Sequence, residues 1–199
     1  MRHLFLLAAL FCACISYAQI RVQERLPKSK TGFALTTAKT RAKIYYDVND
    51  ALVIKRSAEL FARDIQMVTG QKPELIQKRE RAKALVIVGT IEKNQWICEL
   101  AQKGKIDIRP LQGAWERYLI QTVDNPSPGV AKALVIAGSD RRGAAYGLFS
   151  ISEMMGVSPW YWWGDVPVKT HKALYVDAPP TYSKTPSVKY RGIFLNDED

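Results

Sequence analysis

LVIAGSDRRGAAYGLFSISEMMGVSPWYWWGDV, residues 134–166, reads as a strand that runs directly into a helix. Leu134, Val135, Ile136 and Ala137 form an apolar, largely β-branched run suited to a buried strand, and after Gly138-Ser139-Asp140 the apolar residues recur at helical spacing. Ser139 or Asp140 is placed to accept hydrogen bonds from the free N–H groups of the first turn, and Gly156 supplies a left-handed stop. Ala145, Leu148, Ser152 and Met155 make one stripe; Ala144, Gly147, Ile151 and Met154 make another beside it. Two adjoining stripes imply a helix buried over most of its circumference. Gly143, Ala144, Ala145 and Gly147 lack bulk, so this end of the helix is expected to lie very close to a sheet. Trp160, Tyr161, Trp162 and Trp163 follow at once, an apolar mass that needs a cover.

A strand, turn and helix invite comparison with nucleotide-binding loops. Gly138 and Gly143 have the G-x-x-x-x-G spacing, but Ala144 and Ala145 stand where a phosphate-binding Lys and a magnesium-binding Ser or Thr are required. No G-x-G-x-x-G fingerprint replaces it, so the stretch reads as a capped helix on a strand.

The rest of the chain repeats that alternation. Residues 33–35 and 43–46 read as short strands, and Asn49 or Asp50 opens a helix in which Ile54, Ala58, Phe61, Ile65 and Val68 form one core-facing stripe. Gly70 ends it and Pro73 prevents its resumption, while Glu59 and Arg63 have the spacing of an exposed ion pair. Strands are expected at Leu75-Ile76 and 84–88, a second helix over 92–102, a half-exposed strand over 117–123, a turn over 125–129, and an edge strand within 166–176. Residues 19–32 are poorly patterned and read as a flexible entry. The order gives one α/β sandwich of roughly 150 residues, a normal size for one domain. Pro179, Pro180 and Pro186 make a stiff connector, which puts the boundary near Thr185.

Residues 1–18 have the pattern of a cleavable export signal: Arg2, an apolar run over 4–15 too short for a lasting membrane anchor, and Ser16-Tyr17-Ala18 as the cleavage site. A secreted or periplasmic protein cut after Ala18 is expected, with lipidation at Cys14 the competing reading. Nothing later is long and apolar enough for a membrane span. Removal of the signal leaves Cys98 as the sole cysteine and His171 as the sole histidine, so no internal disulfide, no zinc site and no Cys-His or Ser-His catalysis is supported. No metal or organic cofactor is implied.

The net charge is +10, and basic residues are dispersed along the chain. Such a balance permits an anionic partner and selects none; basic and aromatic residues are not interleaved as a nucleic-acid groove would require, so nucleic acid is not expected. Arg141-Arg142 at the start of the central helix opposes the helix dipole and calls for an acidic counterpart. That counterpart is either an acid across a domain interface or the carboxylate of a bound anion.

Two segments carry a resemblance. GSDRRGAAYGLFSISEMMGVSPWYWWGDVPV followed by PSVKYRGIFLNDED resembles the family 115 glycoside hydrolases, the xylan α-1,2-glucuronidases, with a looser match back through Asp64, Ile65, Val68, Thr69 and Gly70. The R-G-x-x-Y-G-L core is weakly specific, because the equivalent domain of β-hexosaminidases has a similar helix; SPWYWWGDVPV and KYRGIFLNDED are more so. The resemblance implies a hexosaminidase-domain-2-like α/β sandwich over residues 19–185 ahead of a (β/α)8 barrel. Residues 186–199 would begin the barrel, with its first strand over 188–195, and the chain would be an N-terminal fragment. It implies inverting hydrolysis of (4-O-methyl)glucuronic acid side chains of glucuronoxylan or derived oligosaccharides, with Asn196, Asp197 and Glu198 lining the substrate pocket. An inverting acid and base stand on opposite sides of the bond, about 6.5–9.5 Å apart, so neighbours on one loop do not supply both. The catalytic residues stay unassigned, the fragment is expected to be inactive, and a homodimer of the full-length protein is left open. The alternative is a non-catalytic carbohydrate-binding or interaction domain that uses Trp160, Tyr161, Trp162 and Trp163; packing of that cluster against the barrel is the structural counterpart of that reading.

Overall fold

The computed structural model describes residues 19–161 and 163–192. Its centre is a six-stranded sheet. The strands are, in chain order, β3 (Lys43–Tyr46), β4 (Leu75–Ile76), β5 (Ala82–Thr90), β6 (Tyr118–Ser127), β7 (Val130–Gly138) and β9 (Thr181–Tyr182). Their spatial order is β4-β3-β5-β7-β6-β9; β4, β3, β5 and β7 run parallel, and β6 is antiparallel to both β7 and β9. Parallel strands buried on both faces read as unbroken apolar runs, and 84–88 and 133–137 are such runs. Alternate residues of β5 then serve two different cores. Ala84, Val86 and Val88 face helices α1 (Leu52–Thr69) and α3 (Arg141–Met154), while Leu85 and Ile87 face α2 (Gln95–Gln102) with Trp96, Ile97 and Leu100.

Helix α1 carries the expected stripe: Ile54, Ala58, Phe61, Ile65 and Val68 are all buried, and Gly70 closes it in the left-handed region at φ 72°. Each large member of that stripe contributes about 1.5–3 kcal/mol by leaving water. Helix α3 packs across α1 and lies close on the sheet at its small residues. A Cβ on Gly143 would sit 2.1 Å from the Arg117 carbonyl oxygen, so only glycine permits that approach.

A second, three-stranded sheet covers the α1/α3 core, with β8 (Leu174–Asp177) between β1 (Arg21–Gln23) and β2 (Gly32–Thr36), all antiparallel. Two expectations change here. Residues 19–32 are not a flexible entry, since Val22 pairs with Val176 and Ile20 is buried. The strand expected at an edge within 166–176 is instead the middle of this small sheet.

Other boundaries move for identifiable reasons. Helix α1 starts at Leu52 because the Asp50 carboxylate accepts from the Thr90 backbone N–H at 2.7 Å and its hydroxyl. Helix α2 starts at Gln95, not 92, because Asn94 caps it by accepting from the N–H groups of Trp96 and Ile97. Glu59 pairs backwards with Arg56 at 3.0 Å and Lys55 at 3.9 Å, not with Arg63. The turn expected over 125–129 is shorter: Asn125 and Pro126 lie in a register shift of β6, where proline's missing donor is harmless, and only Pro128-Gly129 separate the strands. The described part of the expected barrel strand, 188–192, contains no strand; residues 193–199 lie outside the described residues.

Candidate functional site

In a parallel sheet, ligands bind where strand order reverses, outside the carboxyl ends of the strands. Here that point is between β3 and β5, and the protein's own side chains close it. The buried Asn94 donates from Nδ2 to the Val88 carbonyl at 3.0 Å, Asp50 bonds Thr90, and Asp47 accepts from the Gln95 N–H at 3.3 Å. A Cβ on Gly89 would lie 2.4 Å from Asn94 Nδ2, so the crevice has no room even for a methyl group.

The N-terminus of α3 is likewise occupied. Asp140 Oδ1 accepts from the N–H groups of Arg142 at 2.9 Å and Gly143 at 2.8 Å, while Oδ2 accepts from the Glu116 N–H at 2.7 Å. A carboxylate therefore holds the place a phosphate would take. Of the two residues considered as cap, Asp140 serves, and the Ser139 hydroxyl instead accepts from the Arg117 N–H at 3.0 Å.

The acidic counterpart called for by Arg141-Arg142 is Glu116. Its side chain is 5% exposed, and Arg142 Nη1 donates to Oε1 at 2.9 Å. Arg191, near the end of the described chain, donates to Oε2, and its guanidinium lies over the Trp115 ring at 5.9 Å from the centroid. The hydrogen bond from Arg142, with help from Arg191, holds the Glu116 carboxyl below the usual carboxylate range. Glu116 also stands at φ 54°, a conformation few non-glycine residues adopt. Arg141 is exposed and takes no part. The pair thus links α3 to the 186–192 segment instead of presenting two free cations. Nothing local in the sequence singles out Glu116, whose partners are 26 and 75 residues away.

At the other end of α3, the tryptophan segment is uncovered: Trp160 is 65% and Trp163 81% exposed, while Trp162 lies outside the described residues. Beside it is a groove of about 390 Å³ lined by Leu60, Arg63, Asp64, Tyr146, Phe149 and Tyr161, among others. Ser152 Oγ donates to Asp64 Oδ2 at 2.7 Å, and burial pushes the Asp64 carboxyl up. Two carboxylates line the groove, Asp64, committed to the Ser152 hydroxyl, and the exposed Glu153, beside apolar walls from Leu60, Phe149 and Tyr161 that suit packing or ring stacking.

Asn196, Asp197 and Glu198 lie outside the described residues. Among the described residues no group of three His, Cys, Asp or Glu side chains is disposed around a metal, and no helix is long and apolar enough to cross a membrane. Cys98 donates from Sγ to the Ile91 carbonyl at 3.2 Å, and burial pushes its thiol up, the opposite of what a nucleophile needs. His171 Nδ1 lies 2.9 Å from Glu24, and the His171 backbone N–H donates to the Val68 carbonyl, tying the approach to β8 onto the end of α1.

No protein-family profile and no curated protein sequence matches the chain. Among solved structures, a family 115 4-O-methyl-α-glucuronidase with specificity for decorated arabinogalactans is 32% identical, with a TM-score of 0.65, over 84% of this chain and 20% of that one. A family 20 β-N-acetylhexosaminidase from Streptomyces coelicolor A3(2) is 13% identical, with a TM-score of 0.41, over 85% of this chain and 25% of that one. The chain therefore spans about a fifth of the length of the glucuronidase. Its likeness to that enzyme supports a relation to the family 115 glycoside hydrolases.

Proposed function

We propose that this chain is the N-terminal α/β domain, with the opening of the catalytic barrel, of an exported α-glucuronidase of glycoside hydrolase family 115. The observation that supports this most is the 32% identity to the family 115 enzyme, sustained over 84% of the chain. In this reading residues 1–18 are the export signal, 19–185 the accessory domain and 186–199 the opening of the barrel, whose first strand would form only against its neighbouring strands, with Asn196, Asp197 and Glu198 on its loop contacting the uronate substrate. Active sites of such barrels are built at the carboxyl ends of the strands, where that loop would stand. The acid and base of an inverting reaction come from different sides of the sugar, so the 199 residues alone are inactive. The accessory domain supports the barrel, and Trp160 and Trp163 pack against it.

The test compares the 199-residue chain with a longer form that includes the downstream reading frame. Both are assayed on glucuronoxylan and on glucuronate-decorated arabinogalactan, because the related enzyme acts on the latter. Release of (4-O-methyl)glucuronate by the longer form alone is expected. Turnover by the short chain refutes its inactivity, and a longer form without uronate release on either polymer refutes the assignment.

A second reading, a carbohydrate-binding domain, is favoured by one observation, the exposure of Trp160 and Trp163. Exposed indoles offer apolar faces to sugar rings. Retardation of the short chain on a xylan gel, abolished by Trp163→Ala, supports that reading; no retardation supports the scaffold role.

A further inference from the structure

One large cavity has no role in anything above. It is an open groove of about 790 Å³ where the start of β5 and the β6–β7 hairpin meet the carboxyl end of α2. Arg81, Lys83, Lys103 and Lys105 supply its charge, Pro126 and Pro128 are part of its apolar surface, and no acidic or aromatic residue lines it. Arg81 and Lys83 are two apart along an extended segment and so project to one side, the side on which Leu85 and Ile87 lie under α2. The helix ends before reaching them.

The four cations are not equivalent. Lys105 Nζ donates to the Asn125 carbonyl at 2.7 Å and the Asp124 carbonyl at 3.4 Å, which braces the hairpin. Lys103 shares Glu99 with Arg79, at 3.8 Å. Arg81 and Lys83 are exposed, and among the described residues neither has an acidic partner. The aliphatic stem of Arg81 lies against the turn, with Cγ 2.8 Å from where a Cβ of Gly129 would be, so the hairpin holds the guanidinium stem in place.

We infer that this groove binds the uronate carboxylates of an acidic polysaccharide, at a site separate from the barrel. An arginine fork suits a carboxylate, lysines beside it extend the field along a chain, and an apolar floor suits the C–H faces of sugar rings. Single-stranded nucleic acid depends on aromatic platforms for its bases, and this groove has none. The choice of a uronate polymer rests on the glucuronidase reading, but the two fail separately: binding is read without turnover, and turnover does not require this groove.

The experiment is affinity electrophoresis of the 199-residue chain in gels containing polygalacturonate, the same polymer after carboxyl reduction, or single-stranded DNA. Retardation by polygalacturonate, absent with the reduced polymer and weakened by added salt, is expected. Arg81→Gln with Lys83→Gln should weaken apparent affinity at least tenfold. Lys28→Gln with Lys39→Gln removes the same charge from exposed positions outside the groove and should leave it unchanged. The wild-type chain passing unretarded, equal loss in both double variants, or DNA retarding the chain as strongly as the uronate overturns the inference. Circular dichroism confirms that the variants are folded.

Discussion

The carboxylate of Glu116 accepts from the guanidinium of Arg142 at 2.9 Å while its other oxygen takes the guanidinium of Arg191. One buried acid thereby fastens the first turn of α3 to the segment that leads out of the domain. Glu116→Ala removes the shared partner of both arginines and should release that segment. Trypsin should then cut faster after Lys189 and Arg191, with the remainder of the chain still resistant. Unchanged cleavage would show that the segment is held by something else.

The same group predicts a pH dependence. Its folded pKa is depressed, so its contribution is present above the unfolded carboxylate value, near 4.3, and is lost as pH falls through the lower folded value. The 186–192 segment should therefore become protease-sensitive only in strongly acidic buffer. Release already at pH 6 would contradict that sign.

Asp64 runs the other way. Burial raises its folded pKa, so below the unfolded value it costs nothing, and stability is lost as pH rises through the interval between the unfolded and folded values. Asp64→Asn keeps an acceptor for the Ser152 hydroxyl and removes the buried charge. Urea unfolding at pH 7 should show the variant as stable as the wild type or more so, with the gap closing by pH 3.5. A variant less stable at pH 7 would mean that attraction to Arg63 outweighs burial.

Two alanine substitutions separate close packing from glycine content. Gly143→Ala puts a methyl 2.1 Å from a backbone oxygen and should cost about 3 kcal/mol or more, beyond the usual 1–3 kcal/mol of overpacking. Gly164→Ala meets nothing nearer than 3.4 Å and should stay within about 0.5 kcal/mol. Similar losses in chemical denaturation would argue that α3 shifts away from the sheet.

Two tryptophans predict opposite outcomes. Trp96 is 1% exposed, packs edge-on to Tyr45 at 4.9 Å and lies under Arg79, so Trp96→Ala should cost about 3–5 kcal/mol. Trp163→Ala should leave stability within about 0.5 kcal/mol while reducing self-association seen by light scattering, since it removes the most exposed described indole. A large stability loss at Trp163 would mean that it is packed in solution.

Helix α1, the Asp140 cap and the glycine-rich approach of α3 were legible because each depends on residues within a few positions: a repeat of three and four, a short acceptor ahead of a helix, missing side chains on one face. The start of α2 was misplaced by three residues because Glu92 and Asn94 are both acceptable helix openers, and only the bond from Asn94 to Val88 distinguishes them. The site was less legible than the fold. Arg142 announced its need for an acid, but no spacing in the sequence pointed to Glu116. The basic groove was invisible as well, because Arg81, Lys83 and Lys105 looked like three members of a dispersed population.

From the order of residues alone came the alternation of strand and helix, the faces those elements bury, and the resemblance to a glycoside hydrolase family, all of which depend on short-range periodicity or on contiguous motifs. Folding in three dimensions settled the rest. It paired Arg21 with Asp177 across the chain to make a second sheet, filled the crevice between β3 and β5 with Asp50 and Asn94, and gathered cations from the start of β5 and the segment after α2 around one hairpin. Such contacts join residues tens to more than a hundred positions apart, and their energies depend on distance and burial, quantities that exist only once the chain has closed on itself.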